Sequence, residues 1–138
     1  ETVGRRANVI DTGDITLIDD CYNANPDSVK CGIDSLAAYP GRRVCILGDM
    51  LGMGENVAAL HSDVGEYAGK SGASLILTVG KRSENTHKAA SEYVEAHHFD
   101  TNAELIAALP NLIKRGDAVL VKASHDMHFD EISDFLSR

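Results

Sequence analysis

The sequence lacks the features of membrane-spanning, secreted and disulfide-bonded proteins. No apolar run is long enough to cross a bilayer, and the first residues, ETVGRRANVI, lack the pattern of a signal peptide. The three cysteines, Cys21, Cys31 and Cys45, form no C-x-x-C pair and are odd in number, which favours free thiols in a reducing compartment. A cytoplasmic protein without a membrane span is therefore expected.

Basic residues are also scarce, because 13 lysines and arginines stand against 21 acidic residues and give a formal net charge of −8. Nucleic-acid binding needs a clustered basic surface, so no nucleic-acid partner is expected. The six histidines include the adjacent His97 and His98, but no H-E-x-x-H or comparable ligand spacing occurs. The sequence therefore predicts no metal site.

The composition is that of one globular domain. The chain of 138 residues is long enough for a single core, and 43% of its residues are hydrophobic. Apolar segments alternate with helical patterns from Ile15 onward, without a repeat or a linker. This alternation predicts an α/β fold, a Rossmann-like three-layer domain with a mainly parallel sheet, over residues 1–138.

Turn and cap residues predict where the elements begin and end. ANVIDTGDITLIDD is typical of two short strands joined at residues 12–14, which predicts an N-terminal hairpin with one antiparallel strand. RRVCILGDM, ASLILTVG and DAVLVKAS are typical of buried strands in parallel sheets. Helices are predicted from Pro26, over residues 55–70, near residues 84–96 and after Thr101. A final amphipathic helix carries Phe129, Ile132 and Phe135 or Leu136, and Thr101 with Glu104 would form a capping box.

Ligands bind outside the carboxyl ends of the strands in such a sheet, and the loop after the second strand is rich in polar groups there. Asp19 and Asp20 could reach ribose hydroxyls, a magnesium ion or a partner cation, or one acid could cap a turn. We favour a binding role for Asp20. Tyr22, Asn23 and Asn25 suit recognition of a substrate with an amine and a carboxylate, although Asn25 is equally a natural helix cap.

The later loops add fewer candidates. GDMLGMG has three glycines but is neither a P-loop nor a G-x-G-x-x-G motif, and its Asp49 could face a ligand or start a helix. Lys122 and Ser124 leave the last strand toward the same crevice, where a lysine could pair with a carboxylate or phosphate or be merely solvated. No histidine is placed to activate Cys21, and His61 on an apolar helix face is interpreted as structural. No catalytic residue is predicted.

LIDDCYNANPDS, ILGDMLGMG, HSDVG and VLVKAS occur in this order, after a VGRR opening. With them the chain resembles, over essentially its whole length, the C-terminal domain of the Mur ligases. The stretch DDCYNANPDS resembles the corresponding stretch of one branch of this family. That branch adds D-alanyl-D-alanine to UDP-N-acetylmuramoyl-tripeptide in peptidoglycan precursor synthesis. The resemblance implies ATP-driven amide formation: the tripeptide carboxylate becomes an acyl phosphate, which the amine of D-alanyl-D-alanine attacks.

In that family the P-loop and most Mg²⁺ ligands belong to a central domain, and an N-terminal domain holds the nucleotide sugar. The resemblance therefore implies a lid that closes on the central domain, completes the ATP pocket and positions the dipeptide. Alone, it would be inactive. Carried over by position, Arg5 would contact ATP, and Asp20 would bind the ribose or orient Arg5. The residues implied near D-alanyl-D-alanine are Tyr22, Asn23, Asn25, Lys122 and Ser124.

Two other classes remain open. A phospho-acceptor receiver domain also has paired acids after a strand, an acceptor acid, a threonine and a strand-end lysine, which Asp19, Asp20, Asp49, Thr78 and Lys122 mimic. Only one predicted helix separates the acid pair from Asp49, however, where a receiver has an additional helix and strand. The other alternative is a stand-alone binding module derived from the ligase domain.

Overall fold

The computed structural model describes residues 8–21 and 23–138. Within them, six strands and five α-helices follow one another along the chain. The strands are β1 (Asn8–Asp11), β2 (Thr16–Asp19), β3 (Arg43–Gly48), β4 (Leu75–Val79), β5 (Glu95–Phe99) and β6 (Ala118–Lys122). The helices are α1 (Pro26–Ser35), α2 (Val57–Lys70), α3 (Ser83–Ala90), α4 (Asn102–Leu112) and α5 (Asp130–Leu136). Single 3₁₀ turns occupy Leu36–Ala38, Gly54–Asn56 and His125–Met127.

The strands form one sheet in the order β1-β2-β6-β3-β4-β5. β1 and β2 are antiparallel, as predicted for the N-terminal hairpin, and the other pairings are parallel. Because β6 lies between β2 and β3, the carboxyl ends of these three strands are adjacent. In this register Asp19 is opposite Val121, and Lys122 is opposite Leu47.

Helices cover both faces of the sheet, which explains why β3, β4 and β6 are almost wholly apolar. On one face, α4 and α5 and the residue before α5 contribute Leu105, Leu109, Phe129, Ile132 and Leu136 to the core. On the other face, α1, α2 and α3 contribute Val29, Ile33, Val64, Ala68 and Ala90. The α/β prediction and its three layers are confirmed. Among the helices of the described residues, none has the length and apolar character needed to cross a bilayer.

The helix predicted near residues 84–96 is wrong in its second half. α3 ends at Ala90, and the strand β5 already begins at Glu95. The reason is tertiary: β5 pairs with β4 from Leu75 to Val79, so five residues must be extended to complete this edge of the sheet. Pairing with a neighbouring strand overrides the local helical preference.

The capping box predicted for α4 is only half formed. The Thr101 side chain accepts a hydrogen bond from the Glu104 amide at 3.1 Å, as an N-cap does. The Glu104 carboxylate, however, accepts from the amide of Asp100 at 3.0 Å instead of that of Thr101. The helix start is therefore capped as predicted, with the reciprocal bond displaced by one residue.

Candidate functional site

The carboxyl ends of β2, β6 and β3 bring three predicted loops together. Lys122 is the last residue of β6, and its Nζ lies 2.8 Å from Asp20 Oδ2, just beyond the end of β2. The same ammonium donates to the main-chain carbonyl of Asn23 at 2.9 Å. Two of the predicted site residues thus form one ion pair, and a third is held by its backbone.

The two members of this ion pair differ in burial. The Lys122 side chain is 2% exposed and that of Asp20 is 19% exposed. The lysine stem is covered by α1, where a Cβ at Gly32 would lie only 3.3 Å from Lys122 Cδ. A buried ammonium requires a charged partner and further acceptors, and Asp20 with the Asn23 carbonyl supplies both. Lys122 therefore holds the polar loop, and it is not the solvated strand-end lysine that the sequence also allowed.

Asn25 caps α1. Its side-chain oxygen accepts from the Ser28 amide at 2.9 Å, and its own amide donates to Ser28 Oγ at 3.0 Å, which completes a capping box. Asn23 is exposed, and its side-chain oxygen accepts from the Ala24 amide at 2.9 Å. Each asparagine therefore uses its side-chain oxygen locally, and no hydrogen bond from either amide NH₂ group to another described residue is present.

Ser124 connects the loops after β6 and β3. Its Oγ accepts a hydrogen bond from the Leu51 amide at 2.8 Å, and its own amide donates to the carbonyl of Asp49 at 3.2 Å. The residue is only 7% exposed. Its structural role, fixing the glycine-containing loop against the end of β6, was not evident in the sequence.

Asp49 neither starts the next helix nor faces solvent. It is 5% exposed, and its Oδ1 accepts from both the amide and the hydroxyl of Ser83 at 2.8 Å. Arg82 Nη1 lies 3.9 Å from its other oxygen. Asp49 therefore ties the end of β3 to the first residue of α3, a contact that sequence patterns could not have indicated.

The glycines of the GDMLGMG loop have two structural uses. A Cβ at Gly48 would lie 2.5 Å from the Phe129 ring and 2.7 Å from Ala123 Cβ, so close packing at the end of β3 requires glycine. Gly52 and Gly54 have φ values of +74° and +77°, which favour glycine. These requirements account for the glycines without a bound phosphate.

His61 and Cys21 have the structural roles that the sequence indicated. His61 is fully buried, and its Nδ1 donates to the Val57 carbonyl at 2.7 Å while its Nε2 accepts from the Met50 amide at 2.9 Å. Cys21 Sγ donates to Asp19 Oδ1 at 3.0 Å. Burial, together with the adjacent Asp19 carboxylate, raises the pKa of Cys21 to about 12, so the thiol stays protonated.

Of the seven predicted binding residues, five lie at this end of the sheet, and they are Asp20, Asn23, Asn25, Lys122 and Ser124. The other two, Arg5 and Tyr22, lie outside the described residues. The arrangement presents a carboxylate and amide donors on a loop that a buried lysine holds in place. It is suited to binding and positioning a polar ligand.

The model of the family described as Mur ligase, glutamate ligase domain, matches residues 5–125. The chain belongs to this family. The Mur ligase domain is 36% identical over 118 residues to UDP-N-acetylmuramoyl-tripeptide–D-alanyl-D-alanine ligase of Escherichia coli, covering 84% of this chain and 25% of that protein. It is 34% identical over 127 residues to the Haemophilus influenzae ligase of the same name, covering 88% and 27%. The chain thus spans about a quarter of the length of these relatives.

Solved structures have the same fold. MurF from Acinetobacter baumannii matches with a TM-score of 0.87 and 27% identity, over 95% of this chain and 30% of that one. MurF ligase from Thermotoga maritima in complex with ADP matches with a TM-score of 0.80 and 23% identity, over 94% and 30%. The receiver alternative finds no support: Lys122 pairs with Asp20, and the proposed acceptor Asp49 is buried against Ser83.

Proposed function

We propose that this Mur ligase domain is the C-terminal lid of an ATP-dependent ligase that joins D-alanyl-D-alanine to UDP-N-acetylmuramoyl-tripeptide. The observation that carries the proposal is the 36% identity to an enzyme of that name over 84% of the chain. The site agrees in character, because its described residues offer binding groups and include no activated nucleophile. The whole enzyme would act in the cytoplasm, in peptidoglycan precursor synthesis.

Asp20 is the residue best placed to meet the nucleotide. One of its carboxylate oxygens is bound by Lys122 at 2.8 Å, and no described residue hydrogen-bonds the other. The partial exposure of the side chain leaves that second oxygen able to accept from a ribose hydroxyl or to orient Arg5. Lys122 then acts through Asp20, since its ammonium is already shared between Asp20 and Asn23.

D-alanyl-D-alanine would lie against the loop that contains Tyr22, Asn23 and Asn25. The amide NH₂ groups of Asn23 and Asn25 can donate to its carboxylate, because their oxygens already accept within the loop. Direct contacts of Lys122 and Ser124 with the dipeptide carboxylate remain predictions. For Lys122 such a contact would require a shift, because its side chain is 2% exposed.

In this proposal, a central domain of the same ligase binds magnesium and uses ATP to activate the tripeptide carboxylate. Mg²⁺ neutralises the phosphate charges when it is bound. In the Asp20 loop, Asp20 already pairs with Lys122 and Asp19 with Cys21, so we propose no magnesium ligand among these two acids. Closure of the lid would exclude water from the acyl phosphate, which water would otherwise hydrolyse.

The substrate assignment is tested with the complete ligase that contains this domain. Phosphate release from ATP should require both UDP-N-acetylmuramoyl-tripeptide and D-alanyl-D-alanine, with mass spectrometry detecting the pentapeptide product. Release that depends instead on D-glutamate or a diamino acid would assign the enzyme to another branch of the family and refute the proposal.

The lid role is tested separately with the 138-residue chain alone. It should release no phosphate from ATP, whereas a ligase truncated before residue 1 should lose amide formation and regain part of it when the chain is added. Full activity of the truncated ligase would contradict the lid role. Dipeptide binding by the chain alone, with an unchanged truncated ligase, would favour a stand-alone module.

A further inference from the structure

A second cluster of polar side chains lies beside the edge strand β5, on the far side of the sheet from β2. Glu84 is in the first turn of α3, His98 is in the edge strand β5, and Asp100 follows that strand. One ligand atom from each of these three side chains lies within 4.8 Å of the others. Because β5 is four strand spacings from β2, the cluster is about 19 Å from the Asp20 loop and separate from it.

The surroundings of His98 orient its ring as they would for a metal ligand. Its Nδ1 lies 2.7 Å from Oγ1 of Thr78, a fully buried residue of the neighbouring strand β4. Its Nε2 is buried and has no hydrogen-bond partner. When Nδ1 donates its proton to the Thr78 hydroxyl, Nε2 presents a lone pair, which is how a second hydrogen bond orients a metal-binding imidazole. A buried ring nitrogen without a partner calls for an explanation, and a metal ion supplies one.

The two carboxylates complete the donor set. Glu84 and Asp100 are exposed, and within the described part of the chain neither side chain is engaged in an ion pair or a hydrogen bond. A short turn joins α3 to β5 and brings Glu84 toward the end of the strand. His98 and Asp100 are two residues apart and so project to the same side of an extended chain, toward α3. The two acids near the His98 ring provide negative charge that a cation would neutralise.

We propose that Glu84, His98 and Asp100 form a binding site for a divalent transition-metal ion, with Zn²⁺ as the best match. An imidazole nitrogen suits zinc better than magnesium or calcium, and carboxylates complete zinc sites at about 2.0–2.2 Å. The donor atoms lie within 4.8 Å of one another, so the two exposed acids would rotate to bring the three donors to zinc-binding distance. Three protein ligands leave at least one position for water. The bound ion would fasten α3 to the edge strand β5.

The test uses the 138-residue chain without an affinity tag, with Cys31→Ser in every protein so that the exposed thiol does not compete. After chelator treatment, calorimetric titration with ZnCl₂ should show one ion per chain, and Zn²⁺ should raise the melting temperature. Co²⁺ should give visible absorption bands of a bound ion. His98→Asn, which retains a group near Thr78, and Asp100→Asn should each weaken Zn²⁺ binding at least about 10-fold.

The neighbouring pair of His97 and Glu95 is a matched control. His97 Nε2 lies 2.8 Å from Glu95 Oε2, so this pair has the same side-chain types on the other side of the same strand, and no described residue supplies a third ligand. His97→Gln should bind Zn²⁺ as tightly as the parent. Equal binding by the parent, His98→Asn and Asp100→Asn would overturn the proposal, as would the absence of a saturable 1:1 phase. Circular dichroism would verify that each variant is folded.

Discussion

Asp20 directly follows β2, and Asp49 directly follows β3. Both acids therefore lie at the carboxyl ends of apolar strands, with β6 between the two strands. Asp20 is paired with a buried cation, yet its side chain remains 19% exposed. Asp49 is only 5% exposed, and its Oδ1 accepts two hydrogen bonds from Ser83, a residue of the adjacent structural layer. Similar acids at equivalent places therefore belong to a partly exposed loop in one case and to an internal connection in the other.

The difference lies in what surrounds each carboxylate, not in its position on a strand. The ammonium of Lys122 approaches Asp20 from beneath the loop and leaves its outer side open. Ser83 and Arg82 approach Asp49 from α3 and the residue before it, so the helix covers it. Substitutions should therefore separate the two acids by effect: Asp20 should affect both ligation and stability, and Asp49 stability alone.

The largest effect is expected for Asp20→Asn in the complete ligase. The variant removes the charge that we propose to orient Arg5 or bind ribose, so kcat/KM for ATP should fall by at least about 10-fold, corresponding to 1.4 kcal/mol or more. Urea unfolding of the isolated domain should show a loss of about 3 kcal/mol, because the buried Lys122 ammonium loses its counter-ion. The asparagine still offers an acceptor, so the domain should remain folded. Unchanged kcat/KM would contradict the proposed role, and Asp134→Asn, an exposed acid on α5, is the control.

Asp49→Ala should reduce stability without changing substrate binding. It leaves the amide and hydroxyl of Ser83 without their acceptor, which should cost about 2 kcal/mol of unfolding free energy in urea. At a temperature where the variant is folded, its KM values for ATP and dipeptide should equal those of the parent. Asp49→Asn retains an acceptor oxygen and should cost less. A selective rise in either KM would show that Asp49 belongs to the binding site after all.

The two asparagines extend the same contrast to uncharged residues. Asn25→Ala removes the N-cap of α1 and should cost about 1 kcal/mol of stability. Asn23→Ala removes an exposed side chain and should change stability by less than about 0.5 kcal/mol. In the complete ligase, Asn23→Ala should instead raise KM for D-alanyl-D-alanine, measured by initial rates at saturating ATP. If Asn23→Ala leaves that KM unchanged, the dipeptide does not contact this side chain.

The sequence was sufficient to predict the fold wherever burial extends along a whole element. Every residue of β4 and β6 is buried, and their apolar runs identified them. β5 begins with the exposed Glu95 and carries two histidines, so its pattern carries no comparable signal. Its extended conformation depends on pairing with β4, which no local window contains.

The candidate site was predictable as a set of loops but not as a set of contacts. Asp20 and Lys122 could be placed together because ligands bind at the carboxyl ends of parallel strands. Their ion pair could not be predicted, because 102 positions separate them and no local pattern indicates it. The Asn23 carbonyl that completes the lysine site is a backbone group, which every residue possesses. Likewise, Glu84 and His98 lie on different elements, so no metal-binding motif with a short spacing could reveal them.

The smallest expected effect is a difference in thiol reactivity between Cys21, in the Asp20 loop, and Cys31, on the adjacent helix α1. Burial raises the pKa of Cys21 and of Cys45 to about 12, whereas Cys31 on α1 is exposed. Only the thiolate reacts, and a thiol of pKa 12 is ionised to roughly 0.01% at pH 8. One thiol per native chain should therefore react rapidly with a disulfide reagent at pH 8, and Cys31→Ser should abolish this phase. Because the raised pKa belongs to the folded state, all three thiols should react in urea. Rapid labelling of Cys21 in the folded Cys31→Ser chain would mean that the Asp20 loop opens, and that it is not held by Lys122 as tightly as the ion pair implies.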